Sequence, residues 1–514
     1  MANKLLRVEV YSHHYTVKVC EQRAMYLMDR FLRKYSIPVF GKKGKIEDFI
    51  VYASVTKDKT EYRLHINTLI DFKFYLEDNY ISKEQVEVHR APAPVAVMSD
   101  MRVKEGWAPR DYQEPYIDYL TADDNVVSKL VGLQTGKGKT FIALYSLTKL
   151  GTRSMIYVLP KYIDKWVSDC TKVLDIPEER ILVIRKGSEL RYALQEGKDK
   201  HLDVDIIIIS NRIYKNYIKE FNLVTGDKDM FSYPSLPEEF HEDLGVGVTI
   251  IDEVHQEFYN TFTYMLHSHL YRIIALSATF ETMDKRLSKM YYMAFPSRDR
   301  YVDRNYDKYI DVVAVEYEFH RPQFIKYKDY RLGAYSHIVF EQSIMRNKKT
   351  LDDYLDMIFH TVNIGYYKRK RVNDGCIIFV ATIKMATLVK DYMSKKYPEL
   401  DVRRYVEDDP YENVIEADIK VSTIQSSGTA IDIPNLITVV QTVNIQSYQA
   451  NVQTVGRLRK IEGFPTVFYY LWCNQIDKHV EYHKTRQETF KPKVKTLVHE
   501  RYPKPIGKMD SKYN

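Results

Sequence analysis

Cysteine is scarce in this 514-residue chain, with only Cys20, Cys170, Cys376 and Cys473. They stand far apart and show no paired spacing, which argues against a disulfide scaffold and against a thiolate-held metal. They read as buried or incidental thiols of a reducing compartment. The fifteen histidines are scattered as well and form no metal-ligand pattern. No run of about 18 apolar residues occurs, so a membrane span is not expected. The opening MANKLLRVEVYSHHYTVKV alternates apolar and polar residues like a strand and lacks the apolar block of a signal peptide. A cytoplasmic protein is expected, in the host cytoplasm if a phage encodes it. A strong charge of one sign is missing too. The 76 Lys and Arg against 69 Asp and Glu leave +7 and a pI near 8.7, which suits a polyanionic partner without requiring one.

What the chain does have is enough length for two or three domains, with 45% hydrophobic and 28% charged residues, the profile of a globular protein. Its basic residues are grouped in three places. One is Lys368-Arg369-Lys370-Arg371, another is Lys42, Lys43 and Lys45, and the third is the stretch 491–514, with seven Lys and Arg against two acids. A solvated surface explains any one of these as readily as a binding face does. In the first hundred residues, strand-like segments (Leu5–Ser12, Tyr15–Cys20, Phe49–Val55, Tyr62–Ile66) surround a helical stretch at Glu21–Tyr35. The proline-rich APAPVAV at 91–97 reads as a linker, because proline fixes φ and donates no ladder hydrogen bond. Residues 1–95 are therefore expected to form a small α/β accessory domain, its lysines offering a face to duplex backbone.

From residue 96 to about 300, short apolar strands alternate with helical stretches. Met155–Leu159, Asp205–Ser210, Val248–Asp252 and Ile273–Ser277 are continuous enough to lie buried on both faces of a parallel sheet. A second series runs over 301–490, with Gly375–Ala381, Ile419–Thr423, Ile437–Thr442 and Thr466–Leu471. The fold class is α/β, with two successive parallel-sheet domains and a basic tail at 491–514. No short tandem repeat is visible.

Four motifs carry chemistry. Leu133-Gln-Thr135-Gly136-Lys-Gly138-Lys139-Thr140 lies between the apolar Leu130-Val131 and a helical stretch. Glycines let a backbone wrap a phosphate, and a new helix offers free N–H groups and a positive dipole end. Lys139 would reach the β- and γ-phosphates of ATP, and Thr140 would give its hydroxyl to Mg²⁺. Leu133 stands where the general P-loop has glycine. Asp252-Glu253-Val254-His255 follows the apolar Val248–Ile251, where a parallel sheet presents catalytic groups. Asp252 would hold Mg²⁺ and Glu253 would orient and deprotonate a water. Ser277-Ala278-Thr279 ends the next apolar strand, where small hydroxyls can couple the carboxylates to their surroundings. Last comes Gln453-Thr-Val-Gly-Arg457-Leu-Arg459-Lys460. Arginines aimed at a transferring phosphoryl group are worth about 10³–10⁵ in rate. A helix with a basic face is the ordinary alternative.

In this order the four segments resemble motifs I, II, III and VI of superfamily-two helicases of the DExH type. The resemblance spans about residues 104–475. It implies two tandem RecA-like lobes, ATP and Mg²⁺ as cofactors, and a nucleic-acid substrate gripped by its backbone, DNA ahead of RNA. Trp107–Gln113 is similar to the upstream element, with Arg110 and Gln113 at the nucleotide. Pro160 and Lys161 fall in motif Ia, Ser210 and Asn211 in Ib, Thr382 in IV, and Thr423 and Asp432 in V. The resemblance thus places Pro160, Lys161, Ser210, Asn211, Thr382 and Thr423 on the strand, and Thr135, Gly136, Gly138, Asp432 and Gln453 at the nucleotide. His255, Ser277 and Thr279 become coupling residues. Two departures stand out. The usual QxxGRxxR has its second arginine where Lys460 stands here, with Arg459 one residue earlier, and the usual glycine of motif V is Ala430. Which of Arg457 and Arg459 acts as the finger is therefore open. The layout, a small N-terminal domain and two closely joined lobes, looks like the UvsW-type phage helicases of recombination and branch migration, expected as a monomer. An RNA or R-loop helicase, and a nucleotide-gated clamp that binds without moving, remain as alternatives. Lys139→Ala is expected to abolish nucleic-acid-stimulated ATP hydrolysis while the circular dichroism spectrum stays unchanged; wild-type turnover in that variant would sink the P-loop assignment.

Overall fold

The structure, a computed structural model, describes residues 4–508 except 41–45, 135, 225–230, 279–284, 304–306, 331–332, 407–408, 411 and 428–432. Lys42, Lys43, Lys45, Thr135, Thr279 and Asp432 lie outside the described residues. The chain divides into two compact units, Met1–Leu133 with Lys137–Val302, and Gln134–Gly136 with Asp303–Asn514. Among the described residues no helix is long and apolar enough to cross a membrane.

The first unit opens with strands β1 (Leu6–Val10), β2 (His14–Val19), β3 (Ser36–Phe40), β4 (Ile46–Val51), β5 (Ala53–Val55), β6 (Glu61–His65) and β7 (Val86–Arg90). β3 and β4 pair with each other, and the rest form a five-stranded sheet in the order β5-β6-β2-β1-β7. The helix Arg23–Lys34 buries Ala24, Met28, Phe31 and Leu32, the spacing of a single apolar stripe. This accessory sheet is bonded directly to residues 238–293 of the same unit. His14 Nδ1 lies 3.1 Å from the Ser268 carbonyl, Asn67 Nδ2 donates to the Met293 carbonyl at 3.0 Å, and Arg63 engages His267 and Glu238. The proline-rich 91–97 forms no strand, yet it is pinned at both ends, by Ala91 N–H to the Val10 carbonyl and Val97 N–H to the Gly245 carbonyl, both at 2.9 Å.

The rest of the first unit is a seven-stranded sheet of β8 (Ser128–Gly132), β9 (Ser154–Val158), β10 (Ile181–Ile184), β11 (Ile206–Ser210), β12 (Val248–Ile251), β13 (Arg272–Ser277) and β14 (Arg300–Val302). Its order is β10-β11-β9-β12-β13-β8-β14, and every pairing is parallel. β8, β9, β11, β12 and β13 are buried along their whole length, which explains their unbroken apolar sequences. The second unit contains β15 (Ile310–Tyr317), β16 (Gly375–Val380), β17 (Val402–Tyr405), β18 (Ile419–Thr423), β19 (Leu436–Gln441), β20 (Thr466–Cys473) and β21 (Thr496–Arg501). Its order is β17-β18-β16-β19-β20-β15-β21, again all parallel. Counted from the first strand of each unit's large sheet, both read third, fourth, second, fifth, sixth, first, seventh. One topology is built twice, from sequences with no visible repeat.

β21 lies within the stretch that composition marks only as a basic tail. It is an edge strand exposed along nearly all its residues, so its sequence TLVHER has no apolar face to betray it. Ladder bonds to β15 hold it instead.

Packing in the first sheet's helical layer is tight enough to test. A Cβ on Gly197, in the helix Gly187–Lys198, would lie 2.3 Å from the Asp243 carbonyl oxygen, a backbone atom that cannot swing aside. Gly197→Ala is expected to cost about 1–3 kcal/mol by overpacking. An unchanged urea midpoint would show that this helix has room to move.

Candidate nucleotide-binding and catalytic site

The first lobe's site begins where β8 ends. Leu133 donates its N–H to the Ser277 carbonyl at 3.0 Å, tying the loop to the end of β13, and its side chain is buried where the general P-loop has glycine. Gly136 (φ +88°) and Gly138 (φ +80°) both take left-handed backbone. At Gly138 a Cβ would also lie 2.5 Å from Gln113 Nε2, so the Gln113 amide would have to shift from its place against the loop. The helix Lys139–Leu150 starts there without a side-chain cap, so its first N–H groups are left to an anion. Gln113 is buried and binds protein at both ends of its amide, accepting from Arg110 N–H at 3.0 Å and donating to the Lys137 carbonyl at 3.1 Å. It thereby fixes the Arg110 segment against the loop. Lys139 Nζ lies 3.3 Å from the Leu133 carbonyl, folded back along the loop.

The carboxylates stand at the end of β12. Asp252 accepts from the Trp166 indole N–H at 2.9 Å and from Glu253 N–H at 2.9 Å. Glu253 has φ +47°, a left-handed conformation that costs a residue with a side chain about 1–3 kcal/mol. Its Oε2 is buried with no hydrogen-bond partner among the described residues. Burial raises the Glu253 carboxyl to about 7; the Lys139 ammonium works against this and Asp252 works with it. His255 Nδ1 lies 2.8 Å from the Ser277 hydroxyl and 3.4 Å from Glu253 Oε2. Burial, and then Lys139, lower this imidazole to about 3. It is therefore neutral, and its contact with Glu253 is not an ion pair. Ser277 is fully buried and joins the site twice, through its carbonyl to the loop and its hydroxyl to His255.

Two residues with no motif signal complete the cluster. The helix Ile163–Val173 brings Trp166 to Asp252 and places Lys165 Nζ 3.3 Å from the Thr140 hydroxyl and 3.4 Å from Asp169. Desolvation opposes the Lys165 charge, but Asp252 and Asp169 outweigh it and the ammonium's pKa rises. A cation therefore already sits at the Thr140 hydroxyl and in the field of Asp252, and hydroxyl and carboxylate oxygens are the hard donors a magnesium ion prefers. Among the described residues no group of three His, Cys, Asp or Glu could cage a metal alone. The set fits an ion held by one carboxylate, one hydroxyl and the substrate's own phosphates.

The remaining sequence-derived residues are less uniform. Pro160 and Lys161 lie in a short turn after β9, with the Lys161 ammonium 4.9 Å from the Tyr162 ring centroid. Ser210 and Asn211 are buried. Ser210 caps the helix Asn211–Leu223 by accepting from Arg212 N–H, and Asn211 Nδ2 donates to Glu257 at 2.9 Å. In the second lobe the Thr382 hydroxyl caps the helix Ile383–Lys396 and donates to Glu341 at 2.8 Å, while Thr423 lies 2.8 Å from the Ser426 hydroxyl. Gln453 sits in the helix Tyr448–Val455. Arg457 and Arg459 lie beyond that helix's end, so they do not form a basic helical face. Arg457 is buried with its guanidinium 6.0 Å from the Phe379 ring centroid, and Arg459 donates to the Gly456 carbonyl. Behind them sits Arg486, which no motif singles out. It is fully buried and held by Asn451, Asn444, the Val443 carbonyl and the face of Tyr470, and burial lowers it to about 10. It is thus still charged at neutral pH and fixes Asn451 of the Gln453 helix.

No family model and no curated protein matches this chain. Among solved structures it is similar to S. cerevisiae Dbp5 bound to RNA and ADP BeF3, at 12% identity over 77% of this chain and 91% of that one, TM-score 0.49. It is also similar to T4 UvsW, at 12% identity over 96% and 99%, TM-score 0.34. At this identity the functional reading rests on the residues themselves.

Glu253 gives a test with a definite sign. A carboxyl raised to about 7 is protonated below that pH and can accept a proton only above it. The kcat/KM for ATP is expected to rise between about pH 6 and 8, and Glu253→Gln is expected to bind ATP, hydrolyse it very slowly and lose that limb. A Gln variant with an unchanged single-turnover rate would show that Glu253 is not the base.

Proposed function

We propose that this protein is an ATP-driven helicase or translocase acting on nucleic acid, DNA ahead of RNA, of the kind that remodels branched duplexes. The observation that carries the reading is the placement of Lys139, Asp252-Glu253 and Ser277 at the carboxyl ends of β8, β12 and β13, three adjacent strands of one parallel sheet. Parallel sheets put catalytic groups there. ATP with Mg²⁺ would be held by the glycine loop, Lys139, Thr140 and Asp252, and the metal would draw charge from the phosphates as they separate. Lys139 neutralises the terminal phosphates. Glu253, whose Oε2 has no hydrogen-bond partner among the described residues, orients a water and takes its proton. His255 stays neutral and holds the Glu253 loop to Ser277. The motif resemblance gives Arg457 or Arg459 the role of stabilising charge on a transferring phosphoryl group, and Arg486 fixes Asn451 of the helix that precedes them. A second lobe of the same topology, a net charge of +7 and the superfamily-two motif order support nucleic acid as the track. Contacts to phosphate and sugar position a strand without reading its sequence.

ATP turnover and strand displacement measured on forked DNA, four-way junctions, R-loops and single-stranded RNA test the reading. Branched DNA is expected to stimulate turnover most and to be unwound. Stimulation by RNA alone would overturn the DNA assignment, ATP-dependent binding without displacement would make the protein a clamp, and no stimulation by any substrate would end the reading.

A further inference from the structure

The carboxyl end of β15, the strand that corresponds in the second sheet to P-loop strand β8, opens into a cleft of about 600 Å³. Arg321, Lys326, Arg346, Lys349 and Lys508 line it, and no carboxylate does. In a chain with 76 cations to 69 anions, five to none is a local concentration rather than background. The side chains of Arg321, Lys326, Arg346 and Lys508 have no partner among the described residues. The nearby Asp353 is buried and spent on Lys349, Lys504 and the Gly507 N–H, each at 2.9 Å. The arrangement also works against the helix it flanks. The helix Lys348–Val362 starts with Lys348-Lys349 directly after Arg346 and Asn347 and has no acid in its first turn, although a helix N-terminus favours negative charge. An anionic ligand would relieve both penalties.

The cleft is built, not incidental. Lys326 N–H donates to the Ser343 hydroxyl at 2.8 Å, and His320 N–H donates to the Ile506 carbonyl at 2.9 Å, which fixes its two walls. Ser343 shares the helix His337–Met345 with Glu341, whose carboxylate takes the N–H groups of Ala381 and Thr382 at 2.7 and 2.8 Å. One helix therefore joins the cleft to the segment after β16. At the rim Phe324 leaves 67% of its surface exposed.

We propose that this cleft binds single-stranded nucleic acid, with the cations on its phosphates and a base stacked on Phe324, a combination of backbone charge and sequence-tolerant stacking. The proposal rests on the reading of the protein as a nucleic-acid motor and adds a contact that no helicase motif supplies. The test uses the full chain with Arg321, Lys326 and Arg346 all changed to Ala, and separately Phe324→Ala. Binding of a labelled single-stranded oligonucleotide is followed by anisotropy across a salt series, alongside ATP turnover without nucleic acid.

Losing three phosphate contacts is expected to flatten the log–log salt slope by about 2 and to weaken binding about 50-fold at 0.15 M salt. Phe324→Ala is expected to lose about tenfold with the slope unchanged. Basal turnover is expected to stay at the wild-type value in both variants, which also shows that they fold. If wild-type protein binds the oligonucleotide and the variants bind it equally well, the cleft assignment falls and the motor reading stands. If wild-type protein binds no oligonucleotide, both fall. Loss of binding to a poly-glutamate peptide with oligonucleotide binding retained would overturn the proposal in favour of a protein partner.

Discussion

The Glu253 carboxylate lies largely buried beside Lys139 and Asp252, on a residue in left-handed backbone, and its outer oxygen has no hydrogen-bond partner among the described residues. Much of the first lobe serves to keep it there. The Val254 N–H is held by the Leu276 carbonyl, His255 by Ser277, and Asp252 by Trp166. Without those bonds the backbone strain and the desolvated carboxyl would relax together, for example by turning the side chain to water. A carboxyl raised to about 7 can accept a proton near neutral pH, which is the property that the proposed role of Glu253 as a base requires.

The two large sheets share a strand order but spend it differently. In the first, the ends of three adjacent strands gather a lysine, two carboxylates and a small hydroxyl around a glycine loop. In the second, the corresponding first strand opens on a cleft lined by five cations, four of them without a side-chain partner among the described residues, and by an exposed phenylalanine, and the fully buried Arg486 is paired with neutral oxygens and an aromatic face. The parallel sheet supplies the position in both cases, because its backbone polar groups are satisfied by the ladder and its strand ends are free to present side chains. The chemistry comes from what each loop carries.

Most of the β8–β13 and β16–β20 strands were legible in the sequence as continuous apolar runs, since a strand buried on both faces can hardly be anything else. The glycine loop before the helix Lys139–Leu150 and the acidic pair after β12 were legible because glycine at positive φ and carboxylates at a strand end leave local signatures. β21 was not, because an exposed edge strand has no apolar face and is defined only by its partner. Lys165 and Trp166 were not, because their helix is an ordinary amphipathic one whose partners, Thr140 and Asp252, are distant in sequence. The binding roles expected of Ser210, Asn211 and Thr382 came from order along the chain, and order does not say that those side chains are committed to caps and to Glu257 or Glu341.

The sequence by itself determined the α/β class, the order of the motifs and the residue types at the glycine loop after β8, because each depends on local backbone needs or on strand burial. Only the tertiary structure decided that both large sheets are wound in the same order, that the accessory sheet is bonded into the first unit, and that Glu253 is raised while His255 stays neutral. Those outcomes depend on which distant groups share a low-dielectric space, and a linear chain does not encode that in any one segment.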